Sequence, residues 1–144
     1  MPEQANVELV RELYAAFLRN DLPSVLSGLT DDVEWTWNGP GEVPFAGTHR
    51  GPDAVAKWFE VIGDTVEFHQ FEPRDFEFVA QDDTVVVLGF ERDTAKPTGR
   101  AFDHHWVQFF TIRDGKIARF RQFPDTAAVG DAFAAAEKPA SYSS

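Results

Sequence analysis

The chain contains no cysteine. That removes a disulfide framework, a thiolate nucleophile and a thiolate metal site. Basic side chains are scarce: 13 Lys and Arg stand against 24 Asp and Glu, for a net charge of −11. Such a surface lacks the footprint that nucleic acid requires and is repelled by anionic membranes. No apolar run reaches the length of a membrane span, and the opening MPEQANVE does not read as a signal peptide. A soluble cytoplasmic protein is expected. Also missing are a glycine-rich phosphate loop after a strand, an HExxH pair and a GxSxG elbow. No nucleotide cofactor, metal ion or serine nucleophile is therefore expected. The histidines are His49, His69, His104 and His105, and the adjacent pair would diverge on a strand.

What the chain has in excess is aromatic: 14 Phe, 4 Trp and 2 Tyr among 144 residues. That length suits one domain with one core. Part of the aromatic excess belongs to the core, and the rest can line a cavity for a small apolar molecule.

The hydrophobic period is helical over residues 6–20, through Val7, Val10, Leu13, Tyr14, Phe17 and Leu18, with Asn6 suited to the N-cap. A second short helix opens at Leu22-Pro23. Val33 to Trp37 reads as a strand, stopped by Asn38-Gly39-Pro40-Gly41, and a loop is expected from there to Gly51. Pro52 starts a third helix with Val55, Trp58, Phe59 and Ile62 on its buried stripe. The period then falls to two. Strands are expected over 65–71, 74–79, 84–92, 102–112 and 116–123, with Pro73 marking a bulge or an edge and Asp114-Gly115 a tight turn. Thr126 to Ala136 closes the chain as a helix, and the tail 138–144 is expected to fray. Helices segregated from a run of strands predict a single α+β domain spanning 1–144, with its core over about 6–135.

Asp125, at the end of the last strand, is the candidate of most interest. In an apolar cavity its carboxyl would have a raised pKa and could move protons. As the residue before a helix it is equally a good N-cap, which would lower that pKa. In the strand 102–112, pleating puts His104, Trp106, Gln108 and Phe110 on one face and His105 on the other. If its face looks into a pocket, His104 could partner Asp125 there; otherwise it is an ordinary strand histidine.

The segments LYAAFLRND, DDVEWTWNGP, GPDAVAKWF and VQFFTIRDGKIARFRQFPDTAAV resemble the SnoaL-like branch of the nuclear transport factor 2 fold over roughly residues 6–135. The resemblance implies a cone-shaped, curved, mostly antiparallel sheet packed on N-terminal helices around a central pocket, and a homodimer. It implies relatives that are polyketide cyclases, steroid isomerases, limonene-type epoxide hydrolases or non-catalytic binders. By that resemblance Asp125 falls at a catalytic acid, Gln108 replaces a histidine of the cyclases, Tyr14 matches the isomerases' helical tyrosine, and Asn38 matches the hydrolases' water-holding asparagine. The hydrolases' arginine-x-aspartate pair would fall near Glu91-Arg92-Asp93, where adjacent Arg92 and Asp93 should point apart. The expected function is cofactor-free acid/base chemistry on an apolar carbonyl metabolite. Asp125, His104 and Gln108 are the expected catalytic residues. Tyr14, Trp37, Asn38, Trp58, Trp106 and Phe110 are expected around the ligand.

Overall fold

The computed structural model describes residues 2–134. Helix α1 (Pro2–Leu18) turns inward the stripe that its period predicts: Val10, Leu13 and Tyr14 are buried. It starts earlier than expected, so Asn6 is not its cap. Asn6 lies within the helix and its amide donates to the Asp82 carbonyl. Helix α2 (Leu22–Ser27) is capped by Asp21, whose Oδ1 accepts the Ser24 N–H at 3.2 Å.

Strand β1 (Leu29–Trp37) is followed by β2 (Gly47–Arg50), inside what reads in sequence as loop. Its four residues, Gly47, Thr48, His49 and Arg50, carry no apolar alternation, because β2 is an edge strand that pairs with β1 alone. Helix α3 (Pro52–Thr65) buries Val55, Trp58 and Ile62. Then come β3 (Val66–Phe71), a 3₁₀ turn at Pro73–Asp75, β4 (Glu77–Gln81), β5 (Thr84–Ala95), β6 (Arg100–Arg113), β7 (Lys116–Pro124) and α4 (Thr126–Ala134). Pro73 opens the 3₁₀ turn; the irregularity of register lies instead between Phe68 and Gln70. The Asp114-Gly115 turn has positive φ at both residues, 53° and 76°, the pair of left-handed conformations that a two-residue hairpin needs. The helical positions 135 and 136 and the expected frayed tail lie outside the described residues.

One sheet runs β2-β1-β7-β6-β5-β3, with β4 pairing the first half of β5. All pairs are antiparallel except β1 with β7, so the sheet is mixed. It is curved and unclosed, and the helices cover its inner face. This α+β architecture, a curved and mostly antiparallel sheet packed on N-terminal helices, matches the expectation.

Strand pleating dictates the inner face. On β5 it carries Val85, Val87, Gly89, Glu91, Asp93 and Ala95. On β6 it carries Phe102, His104, Trp106, Gln108, Phe110 and Ile112. The register sets Glu91 opposite His104, Gly89 opposite Trp106, and Gln108 opposite Gln122 of β7. Gly89 is required by close approach: a Cβ there would overlap the Cη2 and Cζ2 atoms of Trp106. Gly89→Ala should therefore cost about 1–3 kcal/mol by overpacking. A lower urea midpoint at unchanged m-value would register it; an unchanged midpoint would show that the indole has room to move.

Candidate functional site

Under α1 and α3 the inner face encloses a cavity of about 70 Å³. Its wall is apolar and rich in aromatic rings. Trp35 stacks on Phe120 at 4.0 Å between centroids, Trp37 meets Phe45 edge-on at 4.8 Å, and Trp58 donates its indole N–H to the Phe45 carbonyl at 2.9 Å. Tyr14, Phe17, Phe59, Phe68 and Phe71 add further rings, and Leu13, Ile62, Val66 and Val129 fill between them. The volume is that of about two water molecules and well below the roughly 300 Å³ at which ligand pockets begin.

Into this apolar wall β5 and β6 project three ionisable groups. Glu91, Asp93 and His104 are only 6%, 3% and 4% exposed. His104 Nε2 lies 3.2 Å from Glu91 Oε1 and 3.6 Å from Asp93 Oδ2. Among the described residues, the second oxygens, Glu91 Oε2 and Asp93 Oδ1, have no hydrogen-bond partner, and neither has His104 Nδ1. Buried polar atoms left unpaired are costly, so such a cluster requires an explanation.

Burial pushes the Asp93 carboxyl up to about 8; the His104 hydrogen bond opposes this and the Glu91 charge adds to it. Burial works the other way on His104, but hydrogen bonds to Asp93 and Glu91, and their charges, hold it up at about 9. Around neutral pH both shifts favour the protonated forms, an imidazolium at His104 and an uncharged Asp93 carboxyl. A carboxyl poised there can both give and take a proton.

A second polar chain crosses the cavity wall. The Tyr14 hydroxyl donates to Gln108 Oε1 at 2.5 Å, and Gln108 Nε2 donates to Gln122 Oε1 at 3.1 Å. Burial, with the Glu91 charge, holds the Tyr14 phenol well above its ordinary pKa, so it stays a donor. The direction of the chain leaves the Gln122 amide N–H groups as its free donor end, on a residue that lines the cavity.

Of the residues singled out in the sequence, Tyr14, Trp37, Trp58, His104 and Gln108 line this cavity. Trp106 and Phe110 are buried beside it without lining it: Trp106 packs on Phe71 and Phe76, and Phe110 on Tyr14 and Phe120. Asn38 is held at the end of β7, its backbone and side-chain N–H groups both donating to the Gln122 carbonyl. Asp125 is exposed and caps α4, its Oδ1 accepting the Ala128 N–H at 3.1 Å. Of its two sequence readings, the geometry supports the cap; its carboxylate is not brought to His104, whose partners are Glu91 and Asp93. Asp125→Ala should cost about 1 kcal/mol of stability, the usual worth of a cap. A far larger drop in melting temperature would show that Asp125 has a further role.

The hydrolase arrangement is not assembled. Arg92 points away from Asp93 and pairs with Asp103 at the surface, at 3.5 Å. Asn38 and Asp125 are occupied as described. His105 is exposed against the Phe90 ring, 4.7 Å away.

The sequence carries no metal motif, yet Glu91, Asp93 and His104 come together, with one candidate ligand atom from each lying within 4.8 Å of the others. These residues could hold a cation in principle. To do so, His104 would have to lose the proton that its hydrogen bonds to Glu91 and Asp93 stabilise. Its Nδ1 also lacks the hydrogen-bond partner that orients a ligating imidazole. An ion-paired acid cluster accounts for the geometry better.

Glu91 and Gln122 are site residues that sequence reasoning missed, and Asp93 entered it only as half of the hydrolase pair. The signal was phase: Glu91 and Asp93 fall in step with Val85 and Val87, so they share the buried face.

Comparison with known proteins agrees with this architecture. The SnoaL-like domain family matches residues 10–120, and the chain belongs to that family. The uncharacterized protein Rv0034 of Mycobacterium tuberculosis is 29% identical over 134 residues, which cover 92% of this chain and 98% of the relative. A crystal structure of a nuclear transport factor 2-like protein from Burkholderia xenovorans is 37% identical, with TM-score 0.84, covering 91% of this chain and 97% of that one. TerC, crystallised with polyporic acid, is 27% identical with TM-score 0.75, covering 90% and 98%.

Proposed function

We propose that this protein is a cofactor-independent acid/base catalyst, of cyclase or isomerase type, acting on a small neutral carbonyl compound. The observation that carries the reading is the buried Glu91–Asp93–His104 cluster open to an aromatic cavity, with carboxylate oxygens that no protein group satisfies. A structural ion pair would be expected to satisfy both oxygens of each acid.

In the proposed step, the ionised form of Asp93 takes a proton from the carbon beside the substrate carbonyl. The developing oxyanion accepts hydrogen bonds from the Gln122 amide, which Gln108 and Tyr14 hold in orientation. Asp93, now protonated, returns the proton at another carbon, or the enolate attacks an internal electrophile and closes a ring. The His104–Glu91 pair keeps the site's charge nearly constant meanwhile. The relative TerC, with its polyporic acid, supports a small-molecule ligand for this fold.

The same reading takes the protein to be a homodimer. The outer sheet face exposes Leu88 and Phe123, at 41% and 44%, where a second copy would pack; sedimentation at a single-chain mass would exclude this.

A second reading, a binder without catalysis, is favoured by the 70 Å³ cavity. Deuterium exchange separates the two. Neutral cyclic ketones incubated with the protein in deuterated water should gain deuterium beside the carbonyl, as followed by mass spectrometry. Binding with no exchange across such a panel would leave only the second reading.

A further inference from the structure

The inner cavity is too small for the substrate that its chemistry suits, yet a groove of about 800 Å³ lies directly outside it, between α1, α2, α3 and the edge strand β3. The two spaces share six lining residues: Phe17, Phe59, Ile62, Val66, Phe68 and Phe71. What separates them is a layer of phenylalanine rings. Phe17 lies 5.8, 5.6 and 5.5 Å from Phe59, Phe68 and Phe71, centroid to centroid. Phe68 is 36% exposed and stands on β3, which pairs on one side only and has a register irregularity between Phe68 and Gln70. Side chains at an edge-strand bulge are held by fewer neighbours than those inside a sheet. Phe68 is therefore the ring that can swing with least loss.

We infer that this groove is the binding site for the apolar body of the ligand, whose polar head reaches Glu91, Asp93 and His104 through the phenylalanine layer. For the chemistry of that head, the inference rests on the acid/base reading above. The groove also selects by charge. Asp21, Asp53 and Glu60 lie along it, against Lys57. Three carboxylates outnumber one lysine there, so an anionic ligand such as a fatty acid is repelled along the groove. The class that fits is a neutral, elongated apolar molecule with one small oxygen-bearing end. The continuity of the two spaces names this occupant, since a ligand filling only the groove would leave the acid cluster unused.

Fluorescence titration with neutral N-phenylnaphthylamine, and with anilinonaphthalene sulfonate as its anionic counterpart, tests the site. Gly63 lines the groove and has open space where a Cβ would stand. Gly63→Trp should fill the groove and weaken the neutral probe about tenfold or more. Ala56→Trp, on the same helix, repeats the test, and melting curves verify that both variants fold. The sulfonate should bind wild type about tenfold more weakly than the neutral probe. Phe68→Ala should speed association of the neutral probe. The inference is overturned if wild type does not bind the neutral probe, if both tryptophan variants bind it as wild type does, or if the sulfonate binds equally well. Asp93→Asn should keep probe binding while losing deuterium exchange. A failure of the catalytic reading thus leaves the groove result standing, and a failure of the groove leaves exchange intact.

Discussion

Asp93→Asn is expected to slow proton exchange beside a substrate carbonyl by about 10²-fold or more, the usual worth of a positioned acid/base. The fold should tolerate the change. Near neutral pH, Asp93 is largely uncharged, with burial the main cause of a pKa raised to about 8. The substitution therefore replaces one neutral buried group by another of the same shape. Two further readings separate a chemical role from a structural one. The wild-type pH–rate profile should carry a limb near 8, and that limb should vanish in the variant. His104 loses one of its two carboxylates, so its NMR titration should fall below about 9 while Glu91 keeps it above the ordinary 6.5. Undiminished exchange in the variant would remove Asp93 from the mechanism.

His104→Leu should be the most destabilising change in the cluster, costing about 3–5 kcal/mol near pH 8, because it strands two buried carboxyls without their cation. The cost should depend on pH in a definite direction. In the wild type both relevant groups have raised pKa values: Asp93 moves from 3.8 to about 8 and His104 from 6.5 to about 9. The folded state then holds more protons than the unfolded chain between these values. Stability from Asp93 is complete below 3.8 and lost as pH rises through about 8. That from His104 is complete below 6.5 and lost through about 9. Wild-type stability should accordingly decline from mildly acid to alkaline pH. The variant should decline more steeply, since without the imidazolium burial favours the protonated forms of its carboxyls. Denaturant titrations at about pH 5, 7 and 9 read this directly. An equal cost at all three would show that the charges contribute nothing to stability. The exposed acids Asp21 and Asp32, whose pKa values are lowered, lose their contributions only as pH falls below the ordinary carboxylate range, outside this window.

Period and punctuation were enough to read most elements. Helices α1 and α3 carry stripes at 3.6-residue spacing, β5 to β7 alternate, and Asp114-Gly115 can be little other than a hairpin turn. Those signals are local, and local chemistry suffices for them. The edge strand β2 escaped because pairing on one side demands no apolar alternation. The parallel pairing of β1 with β7 escaped because it joins residues such as Trp35 and Phe120 that are far apart in the chain.

The site divides the same way. Asp125 could be read as a cap or an acid from sequence, because both uses need the same carboxylate before the same helix. The choice belongs to tertiary structure, which leaves Asp125 in solvent bonded to Ala128. Sequence alone determined that the chain makes an aromatic-rich α+β domain without thiol chemistry. It also put His104, Trp106, Gln108 and Phe110 on one strand face. Only the folding of β5 against β6 and β7 determined that His104 meets Glu91 and Asp93, and that Gln108 bridges Tyr14 and Gln122. The physical reason is register. A pleat fixes which face a side chain takes, but strand pairing fixes which side chains share it, and burial among tryptophans and phenylalanines then sets their proton affinities.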